Sequence, residues 1–397
     1  MIKTDFLIIG AGIIGIAVAR ELRHRHPGAS IRVIEKEAIP AFHASGRNSG
    51  VLHAGFYYTA DSLKAKFTRD GNRLLTDYCD SNGLPIRRVG KLVVAQSEAD
   101  LPQLDELLRR AERNSVELHM VDEKQAREFE PRVKTVSRAL WSPSTSCVDP
   151  VKVVNHMMSA LQADGVNFLF DCAYVGRTSE TAVLTSKGAI EAGHVINAAG
   201  GYADKIARDF GVGEHYRILP FKGLYLYSSE PVGSLRTNIY PVPDLRNPFL
   251  GVHFSVTVDG KAKIGPTAIP ALWREQYDGL SRFNLAEFGE IVMRQAGLMV
   301  SADFDFRKLA GEELLKHFRS RLVGLSGRLL HGVESRNFKI WGRPGIRAQL
   351  VDTRTRRLEM DFKVESGPGS THILNAVSPA FTCSIPFAQY VCDRVAF

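Results

Sequence analysis

The hexapeptide GAGIIG, residues 10–15, stands between an unbroken apolar run, DFLIIG (5–10), and a stretch with small and apolar residues at helical spacing, GIIGIAVARELRHRH (12–26). A second apolar run, SIRVIEKE (30–37), follows directly. No other feature constrains the fold as much. Strand, glycine turn, helix and strand in this order predict a β-α-β unit whose parallel strands are buried on both faces. Gly10 permits the tight turn, Gly12 lets backbone approach a pyrophosphate, and Gly15 lets helix and strand pack closely. Ile13 and Ile14 open the helix, whose N-terminus faces the phosphates. Glu35 ends the second strand, where a carboxylate holds a ribose hydroxyl pair, with Lys36 beside it. A glycine turn by itself is an ordinary structural device. The register of strand, helix and Glu35 makes a dinucleotide site the expectation.

At 397 residues the chain has room for two domains, one of them discontinuous. GKLVVAQ (90–96) reads as a strand, and DLPQLDELLRRAERN (100–114) as a helix capped by Asp100 with Pro102 in its first turn. DPVKVVNHMMSALQADG (149–165) reads as a helix with Asp149 as N-cap, Pro150 first and Gly165 as the stop. Strands then lead to a second glycine-rich turn near residue 200. Short aromatic and β-branched strands between 220 and 265 predict a mainly antiparallel sheet, and 272–331 reads as largely helical. The expected class is α/β, α+β overall: a Rossmann-type domain interleaved with a domain on an antiparallel sheet with helices. Residues 1–80, 148–219 and 334–397 are assigned to the first, and 81–147 and 220–333 to the second.

Composition excludes several alternatives. No run approaches the about 18 apolar residues of a membrane span. The first strand begins almost at once, which leaves no room for a signal or transit peptide; with Met1 as native start, a cytoplasmic location is expected. Five cysteines (Cys79, Cys147, Cys172, Cys383, Cys392) without C-x-x-C spacing suggest reduced thiols and neither disulfides nor a metal site. A net charge of +8 favours acidic metabolites, phosphorylated cofactors or an anionic membrane surface. No nucleic-acid motif is present, and no nucleic-acid partner is expected.

HVINAAGGYAD (194–204) is a second apolar strand meeting a glycine turn, far along the chain from the first. The pairing resembles flavoproteins of the glutathione-reductase-like fold and favours FAD over NAD. The resemblance implies that Ala199 and Gly200 lie at the cofactor and that Val175 in AYVG meets the adenine. SGRNSGVLHAGFYY (45–58) is similar to a segment of the D-amino-acid oxidase and glycerol-3-phosphate dehydrogenase superfamily of FAD oxidoreductases. Within it the chain most resembles the L-2-hydroxyglutarate dehydrogenases and oxidases. SLKAKFTRDGN (62–72), YPVPDLRNPFLGVHF (240–254), IGPTAI (264–269), GIRAQLVD (345–352) and NAVSPAFTCSI (375–385) carry that likeness over nearly the whole chain. Two departures stand out. Lys222 in PFKGLY replaces a common arginine, keeping the charge without the bidentate fork, and SPAFTCSIPF is bulkier than usual. The resemblance implies FAD-dependent oxidation of L-2-hydroxyglutarate to 2-oxoglutarate, with quinone or oxygen taking the electrons; the related alternative is oxidation of glycerol 3-phosphate or an amino acid.

Oxidising an α-hydroxy acid requires a base, a hydride acceptor and a cation for each carboxylate. His53 has three readings: a packed core histidine, a covalent flavin attachment, or the base, which its H-x-G setting and near-neutral titration favour. Arg347, between Ile346 and Ala348, is the candidate for the carboxylate beside the reacting carbon; the bland alternative is a surface arginine. Tyr58, Lys222, Arg246 and His253 are candidates for the distal carboxylate, and Tyr57 and Tyr58 are equally candidate core aromatics. Ser45, Arg47, Asn48, Ser49 and Gly50 are expected on the cofactor, as are Ile346 and the run Pro379, Ala380, Phe381 and Thr382. Ser378 suits an N-cap near the substrate, with Pro379 opening a last helix whose positive end faces the flavin; an ordinary capped helix without a ligand is the alternative.

FRKLAGEELLKHFRSRLVGLSGRLLHGV (306–333) mixes leucines with six basic residues. Such a helix can lie on an anionic bilayer, at the inner face of the cell membrane, or pack as a solvated helix on the substrate domain.

Overall fold

The computed structural model describes residues 2–243, 251–301 and 306–395. β1 (Ile2–Ile9) lies between β2 (Ile31–Ile34) and the strand Gly188–Asn197, parallel to both. The sheet extends in parallel through Asn167–Leu169 on one side and Ser370–Asn375 on the other. Phe6, Leu7 and Ile8 are each 0% exposed, which is why β1 is apolar without alternation. α1 (Ile13–Arg25) buries Ile16, Val18 and Leu22 against this sheet, each side chain contributing about 1.5–3 kcal/mol. The last helix (Ala380–Cys392) lies between α1 and α2 (Leu63–Ser81) and joins the same core.

A second large sheet, eight-stranded, runs from Phe338–Trp341 through Leu226–Ser228, Ala262–Gly265, His253–Val256, Asn238–Pro241 and Lys91–Val94 to Arg138–Ser142 and His119–Asp122. Its pairs are antiparallel except Asn238–Pro241 with Lys91–Val94. In a separate four-stranded sheet, Tyr216–Gly223 pairs antiparallel with Gly345–Asp352. That strand runs unbroken across the boundary expected at 219/220. Phe338–Trp341, expected with the dinucleotide-binding part, is instead an edge of the antiparallel sheet.

Local signals held unevenly. Asp149 accepts hydrogen bonds from the N–H groups of Val151 and Lys152 and starts the helix Pro150–Ala163, and Gly165 follows its end with φ +82°. Asp100 does not cap the helix Leu101–Arg113. Its carboxylate turns back to the N–H groups of Gln96 and Ser97, and a capping box between Ser97 and Asp100 starts a 3-10 turn one step earlier. Ser378 is no cap either: the last helix begins at Ala380, Pro379 occupies the N-cap position, and no side chain caps it. A pyrrolidine ring has no hydroxyl to offer the free N–H groups. Residues 272–284 are irregular rather than helical. The stretch 306–333 is two helices, Phe306–Leu315 and Arg319–Ser326, because 316–318 turn the chain. All five cysteines are free and buried.

Candidate active site

One cavity of about 1380 Å³ runs from the glycine turn after β1 to the interface of the two sheets. At its first end, Glu35 accepts hydrogen bonds from the N–H groups of Ala11 (2.8 Å) and Glu37 (3.0 Å). Burial nevertheless pushes its carboxyl above the ordinary range, so the site favours further donors such as a vicinal diol. Ser45 Oγ accepts from the Ile13 N–H at 2.9 Å and ties the 44–49 segment to the helix start. Gly12, Ile13 and Ile14 line the cavity, and apart from the Ser45 contact no side-chain cap closes the start of α1, an arrangement suited to a pyrophosphate. Gly15 stands behind them: a Cβ there would lie 2.0 Å from the Gly10 carbonyl oxygen.

The other cofactor candidates divide. Gly10, Asn48, Ser49, Val175, Ala199 and Gly200 line the same cavity, and so do Ile346, Pro379, Ala380, Phe381 and Thr382. Gly50 does not line it; its φ is +76° and an added Cβ would meet the Val148 carbonyl at 2.5 Å, so it shapes the chain rather than touching a ligand. Arg47 borders the cavity but donates to the carbonyls of Phe42 (2.7 Å) and Pro344 (3.0 Å) and stacks on Tyr277. Lys36 is paired with Glu37 (2.6 Å) and Glu275 (2.5 Å). Arg282 bridges the same two carboxylates, and His43 Nε2 lies 2.9 Å from Glu37, so the Glu37–His43–Glu275 cluster already carries its balancing cations. These residues fit FAD as a group: diol acceptor, helix start and glycine turns border the same cavity.

At the far end stand His53, Tyr58, Ser378, His253 and Arg347. The His53 loop is clamped by its backbone. Thr382 Oγ1 accepts from the His53 N–H at 3.2 Å, Asn72 Nδ2 reaches the carbonyls of Leu52 and His53 at 3.2 Å, and Asn114 Nδ2 holds those of Gly55 and Tyr58. Among the described residues no side chain takes the His53 ring nitrogens. Burial first, then the charges of Lys91, His253 and Arg347, hold the His53 imidazole well below its ordinary range. It is therefore a neutral imidazole bordering the cavity.

His253 changes its meaning. It stacks on Tyr240 at 3.7 Å between ring centroids, and its Nδ1 is 2.8 Å from the Gly251 carbonyl. A carbonyl only accepts, so Nδ1 carries the proton and Nε2 is an acceptor. Burial pushes this imidazole down to about 3, so it remains neutral and offers a carboxylate no donor. Lys222 also leaves the set. Phe221 pairs with Arg347 across the sheet, so the next residue, Lys222, points to the opposite face and does not line the cavity. Arg246 lies outside the described residues. Tyr58 remains, its hydroxyl kept protonated by burial, whereas Tyr57 both borders the cavity and joins the core.

Sequence reasoning missed Lys64, which lies in the quoted run SLKAKFTRDGN, is 7% exposed and lines the cavity. It also missed the 271–277 segment that walls the channel. A buried cationic side chain at helical spacing carries no mark of which way it faces.

The chain matches the family described as FAD dependent oxidoreductase over residues 5–394. It is 35% identical to the mitochondrial L-2-hydroxyglutarate dehydrogenase of Nematostella vectensis, over 99% of this chain and 90% of that protein. It is 32% identical to the L-2-hydroxyglutarate dehydrogenase of Escherichia coli strain K12, over 98% and 93%. The solved structure of dithionite-reduced L-alpha-glycerophosphate oxidase from Mycoplasma pneumoniae with FAD bound is similar at TM-score 0.79 and 22% identity, covering 99% of this chain and 94% of that one. Glycine oxidase from Geobacillus kaustophilus follows at 0.73 and 18%, covering 100% and 96%.

Proposed function

The chain belongs to the L-2-hydroxyglutarate dehydrogenase family of FAD dependent oxidoreductases, and on that premise we propose that it oxidises L-2-hydroxyglutarate to 2-oxoglutarate. When bound, FAD supplies the hydride acceptor. Gly10, Gly12, Glu35, Ser45, Asn48 and Ser49 would hold it, together with Ala199 and Gly200. His53 takes the hydroxyl proton on its neutral ring as the C2–H bond breaks. Arg347 grips the carboxylate next to that carbon and sets the C2 hydrogen in place. The first turn of the last helix borders the cavity, where its amide dipoles favour negative charge.

One observation carries the reading: a neutral imidazole that no side chain of the described residues hydrogen-bonds shares one cavity with Arg347 and the Glu35 channel. Anaerobic stopped-flow absorbance tests it. L-2-hydroxyglutarate should bleach the flavin faster than its D-enantiomer, glycerol 3-phosphate, glycine or proline. Preferred bleaching by any of the others overturns the substrate assignment.

Electrons leave to quinone or oxygen, which turnover under nitrogen with a soluble quinone separates from oxygen uptake. No helix of the described residues is long and apolar enough to cross a membrane. Peripheral contact of a cytoplasmic protein with the inner face is supported by exposed Leu314, Leu315 and Phe318 beside exposed Arg319 and Arg321. Co-sedimentation with anionic vesicles, lost in a Leu315→Ser/Phe318→Ser variant, is the expected result; no sedimentation of the unaltered enzyme refutes it.

A further inference from the structure

We propose that Lys64 is the cation that receives the distal carboxylate of a dicarboxylate substrate, with Arg347 holding the other. The inference rests on reading the site as a hydroxy-acid oxidase. Lys64 sits in the first turn of α2, where Ser62 Oγ caps the helix by accepting from the Ala65 N–H at 3.1 Å. Its ammonium lies 5.9 Å from the centre of the Tyr58 ring, and the residue lines the same cavity as His53 and Arg347.

No carboxylate among the described residues lies within ion-pair distance of Lys64. The nearest candidate, Asp361, is spent on backbone: its oxygens accept from the N–H groups of Leu63 (2.8 Å), Lys64 (3.0 Å) and Phe362 (2.8 Å). A buried ammonium facing a cavity without an anion is costly, and an incoming carboxylate removes that cost. The other buried lysines do not compete. Lys91 is enclosed by the rings of Phe56, Tyr57 and Tyr240 and does not line the cavity. Lys263 donates to the Ser49 carbonyl at 3.0 Å and does not line it either. Burial first, and then the charge of Arg347, bring the Lys64 ammonium down to about 8, so it is charged at neutral pH and loses its charge just above.

The test uses the FAD-loaded enzyme and two unreactive ligands: glutarate, with two carboxylates, and its monoamide, with one. Binding is read by calorimetry and by perturbation of the flavin spectrum. The unaltered enzyme should prefer glutarate by at least about tenfold, and Lys64→Met should abolish the preference while leaving monoamide affinity within about threefold. For L-2-hydroxyglutarate, Lys64→Met should raise KM more than it lowers kcat. A Lys64→Met enzyme that holds FAD and keeps the preference for glutarate overturns the proposal. Should that variant fail to fold, the unaltered enzyme decides: the preference should fall between pH 7 and 9.5 as Lys64 deprotonates, and a flat preference overturns the proposal. Failure of L-2-hydroxyglutarate to bleach the flavin, with the glutarate preference intact, would instead remove the substrate assignment and leave the Lys64 subsite standing.

Discussion

Arg274 and Asp204 form a two-point ion pair inside the protein, Nη1 to Oδ1 at 2.6 Å and Nη2 to Oδ2 at 2.9 Å, with side chains 1% and 0% exposed. Asp204 closes the second glycine turn, and Arg274 belongs to the 271–277 segment that walls the channel, so the pair pins one side of the cavity to the other. Asp204 also accepts from the Ile218 N–H at 3.1 Å. Removing Arg274 leaves the buried Asp204 carboxylate with the longer 3.5 Å pairing to Arg208 and the Ile218 N–H. Arg274→Met should therefore lower unfolding free energy by about 3–5 kcal/mol. Denaturant titration checks this, and a loss below about 1 kcal/mol would show that the pair does not hold the wall.

His53→Asn should slow anaerobic flavin reduction by about 10²–10⁴-fold, the range of general base catalysis, with FAD still bound. A rate within about threefold of the unaltered enzyme would exclude the base role. Retention of the flavin after denaturation in acid would separately reveal a covalent link.

The pH dependence has a definite sign. The base must be neutral, and the His53 imidazole is held well below its ordinary range. The profile of kcat/KM should therefore run level through pH 6.5, with no fall at the ordinary imidazole value and an alkaline decline near 8 from Lys64. Stability follows the same logic. Burial, first among the causes, pushes His43 and His372 down to about 4 and His253 to about 3. The unfolded chain binds protons at about 6.5 that the folded one refuses. Stability is complete above that value and is lost as pH falls toward 4, by about 1.4 kcal/mol per pH unit for each histidine. A Tm unchanged between pH 7 and 5 would contradict this.

Gly15→Ala should yield colourless protein with a lowered Tm, because the new methyl would lie 2.0 Å from the Gly10 carbonyl and must push α1 off β1. The purified variant's absorbance near 450 nm reports the result. A yellow variant of normal Tm would mean the turn yields more than its packing suggests.

Arg347→Met should lower kcat/KM for L-2-hydroxyglutarate by about 10–150-fold, the worth of a charge-assisted hydrogen-bonded contact. Lys222→Ala should stay within about threefold, as its side chain faces away from the cavity. Equal losses in the two variants would put Lys222 back into the site.

The glycine turn, Glu35 and the His53 segment were legible because their signals are local. A strand, a turn and a helix start are set by neighbours within a few residues, and each imposes a residue type that can be read in order. Asp149 could be identified as a cap for the same reason. Asp100 could not, since two candidate caps, Ser97 and Asp100, compete within four residues and only the backbone path chooses between them. Lys222 illustrates a different limit. Its charge and family position were right for a carboxylate, but a strand residue's face is decided by which strand pairs with it, and Phe221 rather than Lys222 lies opposite Arg347.

By itself, the sequence determined the β-α-β cofactor frame, the antiparallel second sheet and the presence of an imidazole and a guanidinium suited to a hydroxy acid. These follow from periodicity, glycine spacing and side-chain chemistry, all properties of short stretches. Only the tertiary structure decided which charges the site contains. It brought Lys64 into the cavity with no carboxylate of the described residues at ion-pair distance, kept His253 neutral by burial, and used Lys36 and Arg47 for structural contacts. Burial and pairing set whether a titratable group is charged, and both depend on atoms that folding gathers from distant parts of the chain.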